Sequence, residues 1–335
     1  MTSDTRAIVE LPDAPQIDGL AFRPFDIDRD LGALAELMSE SNLADHVDYI
    51  PTAESLGHEL RHEADFDPSR DLLLGELDRA LVAACRISGR VRGGKVVHYT
   101  EGWVRPSERR RGIGRALLHW AERRADEVRS TWPGDEPHVI GAWPDATQTG
   151  SIALFESEGY GIVRYGFMMV RSLADPIPDV ALPDGLEIRP VFKADYRRIW
   201  EADVEAFMDH WERAERTEED YARWFTDPTL DTSLWRVAWD GDEVAGSVFT
   251  GVWPEENARL GVQRGWLDHV STRRAWRRRG VASALIADAM RGLKSRGLTE
   301  AALGVDAENT SGALNVYESL GFRRYRTDIC YRKAL

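Results

Sequence analysis

The chain has 335 residues, 43% of them hydrophobic, and 57 acidic against 43 basic side chains give a formal net charge of −14. Such a length holds two domains of ordinary size, each with its own core, and the acidic balance excludes nucleic acid as a general partner, because phosphates require a positive face. No run of about 18 apolar residues marks a membrane span. Two cysteines, Cys85 and Cys330, are too few for a disulfide framework or a cysteine-rich metal site, so a cytoplasmic protein with no metal and no membrane partner is expected.

Taken in chain order, residues 1–18 read as a polar, acidic tail without the basic-then-apolar order of a signal peptide. A strand at Gly19-Leu20-Ala21-Phe22-Arg23-Pro24 leads into helical sequence at Leu31 to Met38. Leu72 to Leu77 and Leu81 to Ile87 follow as hairpin-like strands. A further strand ends at Arg109-Arg110-Arg111-Gly112-Ile113-Gly114, where an amphipathic helix begins, and Phe155-Glu156-Ser157-Glu158-Gly159-Tyr160 closes the half. Residues 173–184, rich in Pro and Asp, read as a linker without regular structure.

The same order then repeats. Gly185-Leu186-Glu187-Ile188-Arg189-Pro190 starts a strand, and a helix follows over Tyr196 to Phe207. Leu234 to Trp239 and Val244 to Val252 form a hairpin turned by Asp240-Gly241-Asp242. Arg277-Arg278-Arg279-Gly280-Val281-Ala282 opens a helix in which Ala282, Leu285, Ile286, Ala289 and Leu293 keep helical spacing up to a stop at Gly297. Ala301 to Val305 reads as a short strand and Ser311 to Leu320 as a helix. Tyr317-Glu318-Ser319-Leu320-Gly321-Phe322 matches the first half's Phe155 segment, and Phe322 to Tyr331 supplies the closing strands. Three matches in one order, offset by 162 to 168 positions, mark a duplication. The expectation is an α/β unit with a mixed sheet, made twice, with domains at 19–172 and 185–335.

The basic glycine segment has a physical reading of its own. Amide N–H groups at a helix start lack intrahelical partners, and the helix dipole there favours negative charge. A glycine lets a diphosphate approach the backbone closely, and arginines add charge-assisted donors. Arginine runs are also found as solvated helix faces; the embedded glycine, the helix start and the duplication favour the cradle. The Gly-x-Gly-x-x-Gly of dinucleotide-binding folds and the Walker Gly-Lys-Ser/Thr are both absent.

Both segments resemble the acyl-CoA signature of the GNAT N-acetyltransferases, Arg/Gln-x-x-Gly-x-Gly/Ala, and the resemblance covers roughly nine-tenths of the chain. It implies two tandem GNAT acyl-CoA N-acyltransferase domains, with acetyl-CoA held at Arg277, Arg278, Arg279, Gly280, Val281 and Ala282, and in the first half at Arg109, Arg110, Arg111, Gly112, Ile113 and Gly114. The family's preceding strand contacts the pantetheine arm through its backbone, which maps to Val270 and Thr272 here and to Val104 in the first half. Asn309 resembles the family asparagine beside the cofactor. Tyr317 resembles the tyrosine that protonates the departing sulfur; packing against the sheet is the alternative. Thr147 and Phe155 stand at the corresponding places of the first half, so catalysis is expected in the second.

Transfer to an amine by direct attack needs a base and an acid but no nucleophilic side chain. Asp268, two residues before Val270, is the candidate base if strand alternation places both on one face; a rim carboxylate paired with an arginine is the equal alternative. His269 is then expected on the opposite, structural face, with His210, Glu212 and Glu215 in reserve. His98 and Thr100 occupy the matching strand of the first half. The aromatics Trp200, Phe207, Trp211, Tyr221, Trp224 and Phe225 fit either core or acceptor wall. The function implied is acetylation of a small-molecule amine by a monomer or homodimer. The tandem architecture resembles the mycothiol synthases, which acetylate a cysteinyl amine, and a non-catalytic acyl-CoA sensor is the contrasting reading.

Overall fold

The computed structural model describes residues 8–309 and 312–335, so Ser311 at the expected start of the last helix lies outside the described residues. The chain forms two compact units. One comprises the chain up to Val163 together with Ile329–Leu335; the other is Arg164–Asp328.

The first unit contains, in chain order, β1 (Leu20–Pro24), α1 (Leu31–Ala44), α2 (Ala53–Arg61), the single turn α3 (Pro68–Asp71), β2 (Leu72–Leu77), β3 (Ala80–Arg92), β4 (Lys95–Val104), α4 (Ile113–Thr131), β5 (His138–Ala142) and α5 (Thr149–Ser157). Strand alternation sorts β2 between two layers: Leu73 faces the cluster of α4 with Ile113, Leu117 and Ala121, whereas Leu72 and Leu74 face Leu34, Leu37, Leu56 and Leu60 of α1 and α2. β1 to β4 are antiparallel neighbours, and β4 pairs with β5 in parallel.

The chain continues through β6 (Gly161–Ser172), β7 (Glu187–Arg189), α6 (Tyr196–Ala206), α7 (Glu218–Phe225), β8 (Arg236–Asp240), β9 (Glu243–Gly251), α8 (Pro254–Leu260), β10 (Arg264–Thr272), α9 (Val281–Ser295), β11 (Glu300–Asp306), α10 (Ala313–Ser319) and β12 (Arg323–Ala334). In the second unit α9 buries Leu285, Ile286, Ala289 and Leu293 against Ala238, Val248, Leu267 and Ala301. The other face of that sheet carries α6, through Ile199 and Ala202, against Val237, Trp239 and Phe249. The mixed sheet with helices on both faces is the expected fold, made twice.

The closing strands, however, are exchanged. Gly166–Ser172 of β6 pairs antiparallel with Glu300–Asp306 of β11 in the second unit, and Tyr331–Ala334 of β12 pairs with Val139–Ala142 of β5 in the first. Burial follows: Met169 and Leu173 lie in the second unit's core, Tyr331 in the first's. Arg164 fixes the second-unit end of β6 with a bidentate pair to Asp306 at 2.7 and 2.8 Å. Residues 173–184, read as a linker, carry no helix or strand and are packed: Ile177, Val180 and Leu182 rest on the second unit's core. The segment from residue 8 to 18 is likewise no free tail. Its Val9 N–H donates to the Phe22 carbonyl, Leu11 is buried, and Ala14 and Ile17 pack beside it.

Candidate functional site

The two arginine–glycine loops fold alike. Arg110 and Gly112 take φ of 63° and 88°, and Arg278 and Gly280 take 61° and 89°, so each loop has a left-handed arginine followed by a left-handed glycine that caps the next helix. Such alternation turns successive amide N–H groups into one concavity, which is an anion seat. Among the described residues, a Cβ on Gly280 would meet nothing within 4 Å. The space beside it is therefore open, and the loop fits the diphosphate of an acyl carrier. In the first loop a Cβ on Gly112 would stand 3.3 Å from the Pro15 ring.

The leading arginines do not face that seat. Arg277 donates to the Thr272 carbonyl (3.0 Å), Asp209 (2.7 Å) and the Ala206 carbonyl (2.9 Å), and Arg109 makes the same clamp on Val104, Asp45 and Ser41. They tie the ends of β10 and β4 to the C-terminal ends of α6 and α1. Arg278 and Arg279 are exposed at the loop. Val281 is buried under α9, and Ala282 packs beside it.

β10 pairs with β11 only over Arg264–Trp266, although both strands run on. Beyond that point they part, and backbone from Leu267 to Thr272 is left without a strand partner on that side. Val270 and Thr272, the expected pantetheine contacts, lie in this stretch. Val270 packs toward α9, and the Thr272 hydroxyl is buried without a hydrogen-bond partner.

A β-bulge interrupts the β9–β10 register between Leu267 and His269. Leu267 and Val270, three positions apart, both pack on the α9 side. Simple alternation therefore fails at Asp268, and it does not share a face with Val270; the extra residue of the bulge re-aims it. His269 does lie on the opposite side from Val270. Its ring is 5.2 Å from Phe207, 4.4 Å from Trp224 and 5.9 Å from Phe249, with the buried Asp203 carboxylate at 3.5 Å.

Asp268 is exposed at its surface, but the protein around it desolvates the carboxyl and pushes it up to about 6, with His269 pulling the other way. Gly251 lies directly beside this carboxylate. A Cβ there would fall within 1.7 Å of the Trp253 ring and 2.9 Å from an Asp268 carboxylate oxygen, so indole and carboxylate border the same point. Gly251, Trp253 and the buried, unpartnered Thr250 hydroxyl escaped sequence reading. The one signal was a glycine ending a strand run, which marks a close approach.

Tyr317 is nearly buried on α10, and burial alone raises its phenol to about 12. Asn309 donates its backbone N–H to the Asp306 carbonyl. The first unit has different chemistry at the corresponding places. Phe155 stacks on Tyr331, Thr147 donates to Asp145, His98 pairs with His138 at 2.9 Å, and Thr100 lies 3.4 Å from the Cys85 sulfur. Of the reserve residues, His210 and Glu215 are exposed and Glu212 is buried. Trp200 and Trp224 lie edge to face, Arg216 over both, so these aromatics chiefly form the α6–α7 layer.

Both repeats, residues 34–160 and 196–322, match the model of the acetyltransferase (GNAT) family. The chain belongs to that family. It is a tandem GNAT N-acetyltransferase, and acyl-CoA use is general to the fold. A mycothiol acetyltransferase of Geodermatophilus obscurus is 30% identical over 317 residues, covering 92% of this chain and 97% of the relative. One from Thermomonospora curvata is 32% identical over 231 residues, 68% and 71% of the two chains. Among solved structures, a GCN5-related N-acetyltransferase from Sphaerobacter thermophilus superposes with a TM-score of 0.72 at 26% identity, over 95% of this chain and 96% of its own. A tandem GNAT protein from the clavulanic acid pathway shares the fold at 18% identity, with a TM-score of 0.66 over 94% and 98%. Among the described residues of this GNAT enzyme, no helix is long and apolar enough to cross a membrane and no group of three His, Cys, Asp or Glu side chains is placed to hold a metal.

Proposed function

We propose that the second unit transfers acetyl from acetyl-CoA to the primary amine of a small molecule, with Asp268 as general base and Tyr317 as general acid. The observation that carries this reading is the open Gly280 seat at the start of α9, preceded by the stretch of β10 that leaves β11 and carries Asp268 on its bulge, where desolvation pushes the carboxyl up to about 6. A base works best with a pKa near the operating pH, and an ordinary aspartate, near 3.9, would be too weak. Bound acetyl-CoA supplies the thioester-activated acetyl group. The amides from Gly280 to Ala282 hold its diphosphate, with Arg278 and Arg279 adding charge. Asp268 takes the proton of the attacking amine. Tyr317 stays protonated through the working pH range and gives its proton to the departing sulfur, whose own basicity rises in the same desolvated setting. Phe155 in the first unit has no proton to give.

The test is release of coenzyme A thiol against a panel of primary amines. Asp268→Asn and Tyr317→Phe should each lower kcat on the order of 10²-fold, while acetyl-CoA affinity measured by calorimetry stays within about twofold. Wild-type rates in both variants would sink the assignment. The full-length similarity to mycothiol acetyltransferases favours one acceptor class, a cysteinyl amine. The panel therefore includes cysteine amides beside aminosugars and polyamines, and equal kcat/KM across all three would argue against that preference.

A further inference from the structure

The two cradles share one backbone conformation, so their surroundings can be compared position by position. At the first, residues 9–17 form a strap along α4. Leu11 is buried in the core beneath, the Ala14 N–H closes a turn on the Leu11 carbonyl, and Pro15 lies against Gly112. Asp13 binds Arg123 at 3.0 Å and His119 at 3.2 Å on α4. Among the described residues, nothing lies within 4 Å of the equivalent Cβ position at Gly280.

Charge differs in the same sense. In the first loop Arg109 pairs with Asp45, Arg111 with Glu108, and Arg115 on the first turn of α4 with Glu158. The positions that match Glu108 and Glu158 in the second half are Trp276 and Leu320, and Arg115 is matched by Ser283. Glu108 and Glu158 thus have apolar counterparts in the second loop, whereas the Arg109–Asp45 pair is kept there as Arg277–Asp209. A diphosphate arriving at Gly112 has to displace a proline ring and compete with two carboxylates, Glu108 and Glu158, for Arg111 and Arg115. At Gly280, among the described residues, it meets open space; Arg278 and Arg279 are exposed there as Arg110 and Arg111 are in the first loop, but no carboxylate stands where Glu108 holds Arg111.

We propose that the chain binds a single coenzyme A, at Gly280, and that its own strap, through Pro15, and the carboxylates Glu108 and Glu158 have closed the first cradle to the ligand. This rests on the second unit being the acetyl-CoA site. The experiment is hydrogen exchange of the full-length protein with and without acetyl-CoA, read beside a calorimetric titration with the same ligand. The titration should give one site per chain, lost in Gly280→Asp. Exchange should slow on ligand addition at amides 280–282 and stay unchanged at 112–114. The strap amides of Val9 and Ala14 should exchange at least about tenfold more slowly than in a free peptide, with or without ligand. Two sites per chain, protection at 112–114, or strap amides that lose protection as ligand binds would each overturn the proposal. Strap amides exchanging at the free-peptide rate in the ligand-free protein would overturn it too. Absence of binding at both loops would instead remove the acetyl-CoA assignment itself, while the ligand-free strap protection continues to decide whether the first cradle is closed.

Discussion

Asp268 makes the sharpest statement at the scale of single residues. Its carboxyl is raised by desolvation to about 6, and a base must be ionised to act, so kcat/KM should climb with pH through a limb near 6 and then level off. Asp268→Asn should flatten that limb in whatever activity remains, and an unchanged limb would show that another group sets it. The same shift has a consequence for stability. A carboxyl raised on folding binds its proton more tightly in the folded than in the unfolded chain, so its contribution is fully present below about pH 4 and is lost as pH rises through 6. At pH 7.5 the ionised form is a liability, and Asp268→Asn should keep or raise Tm while lowering kcat on the order of 10²-fold, the trade expected of a functional group kept at a cost in stability. Gly280, Gly112, Tyr317 and the Phe155 substitution were legible in the sequence because each is tied to a repeated segment. The setting of Asp268 was not. Alternation paired it with Val270, and only the bulge, which no local sequence signal announces, separates them.

Elements were easier to read than their joints. The hairpin turned at Gly241, the helix stopping before Gly297 and the β2–β3 pair all formed as their patterns dictated, because apolar periodicity and turn chemistry are local. The arginine clamps were not foreseeable: a run of three arginines does not say which one turns inward, and Arg277 and Arg109 do so to bind helix ends distant in sequence. A further element-scale consequence concerns β4 and β5. Burial and the neighbouring ring hold His98 at about 4, and burial chiefly lowers His138. The pair therefore stays neutral in the fold while either ring protonates readily once unfolded. Its stabilisation is present above about pH 6.5 and is lost as pH falls toward 4; for His98 the shift is worth roughly 3 kcal/mol. The amides of β4 and β5 should lose exchange protection on acidification from pH 7 to 5 before those of β10 and β11. His98→Gln should remove part of this pH sensitivity, and a simultaneous loss in both units would refute the account.

At the scale of the whole chain, the duplication was visible and the exchange of closing strands was not, since β6 and β12 carry similar patterns and either would satisfy either sheet. The consequence is that the boundary drawn from sequence is not where the chain can be cut. A fragment 185–335 includes every motif of the second repeat but lacks Gly166–Ser172, the strand that pairs with β11. It also lacks Met169 and Leu173, each about 1% exposed in that unit's core. Losing two buried apolar side chains costs about 2–5 kcal/mol apiece by analogy with truncation to alanine, and an open β11 edge adds a surface prone to aggregation. Total stabilities of 5–15 kcal/mol do not readily absorb that. The contiguous stretch Arg164–Asp328, by contrast, is one complete compact unit. Expressed separately, 164–328 should give a cooperative thermal melt and retain acetyl-CoA binding, whereas 185–335 should melt without cooperativity or fall out of solution. Adding a peptide spanning residues 161–173 should rescue the latter in part, because that segment alone restores the missing strand. Should 185–335 instead melt cooperatively within a few degrees of 164–328, the exchanged strand would be a decoration on a repeat that is already complete, and the two halves would be domains in the order the sequence lists them.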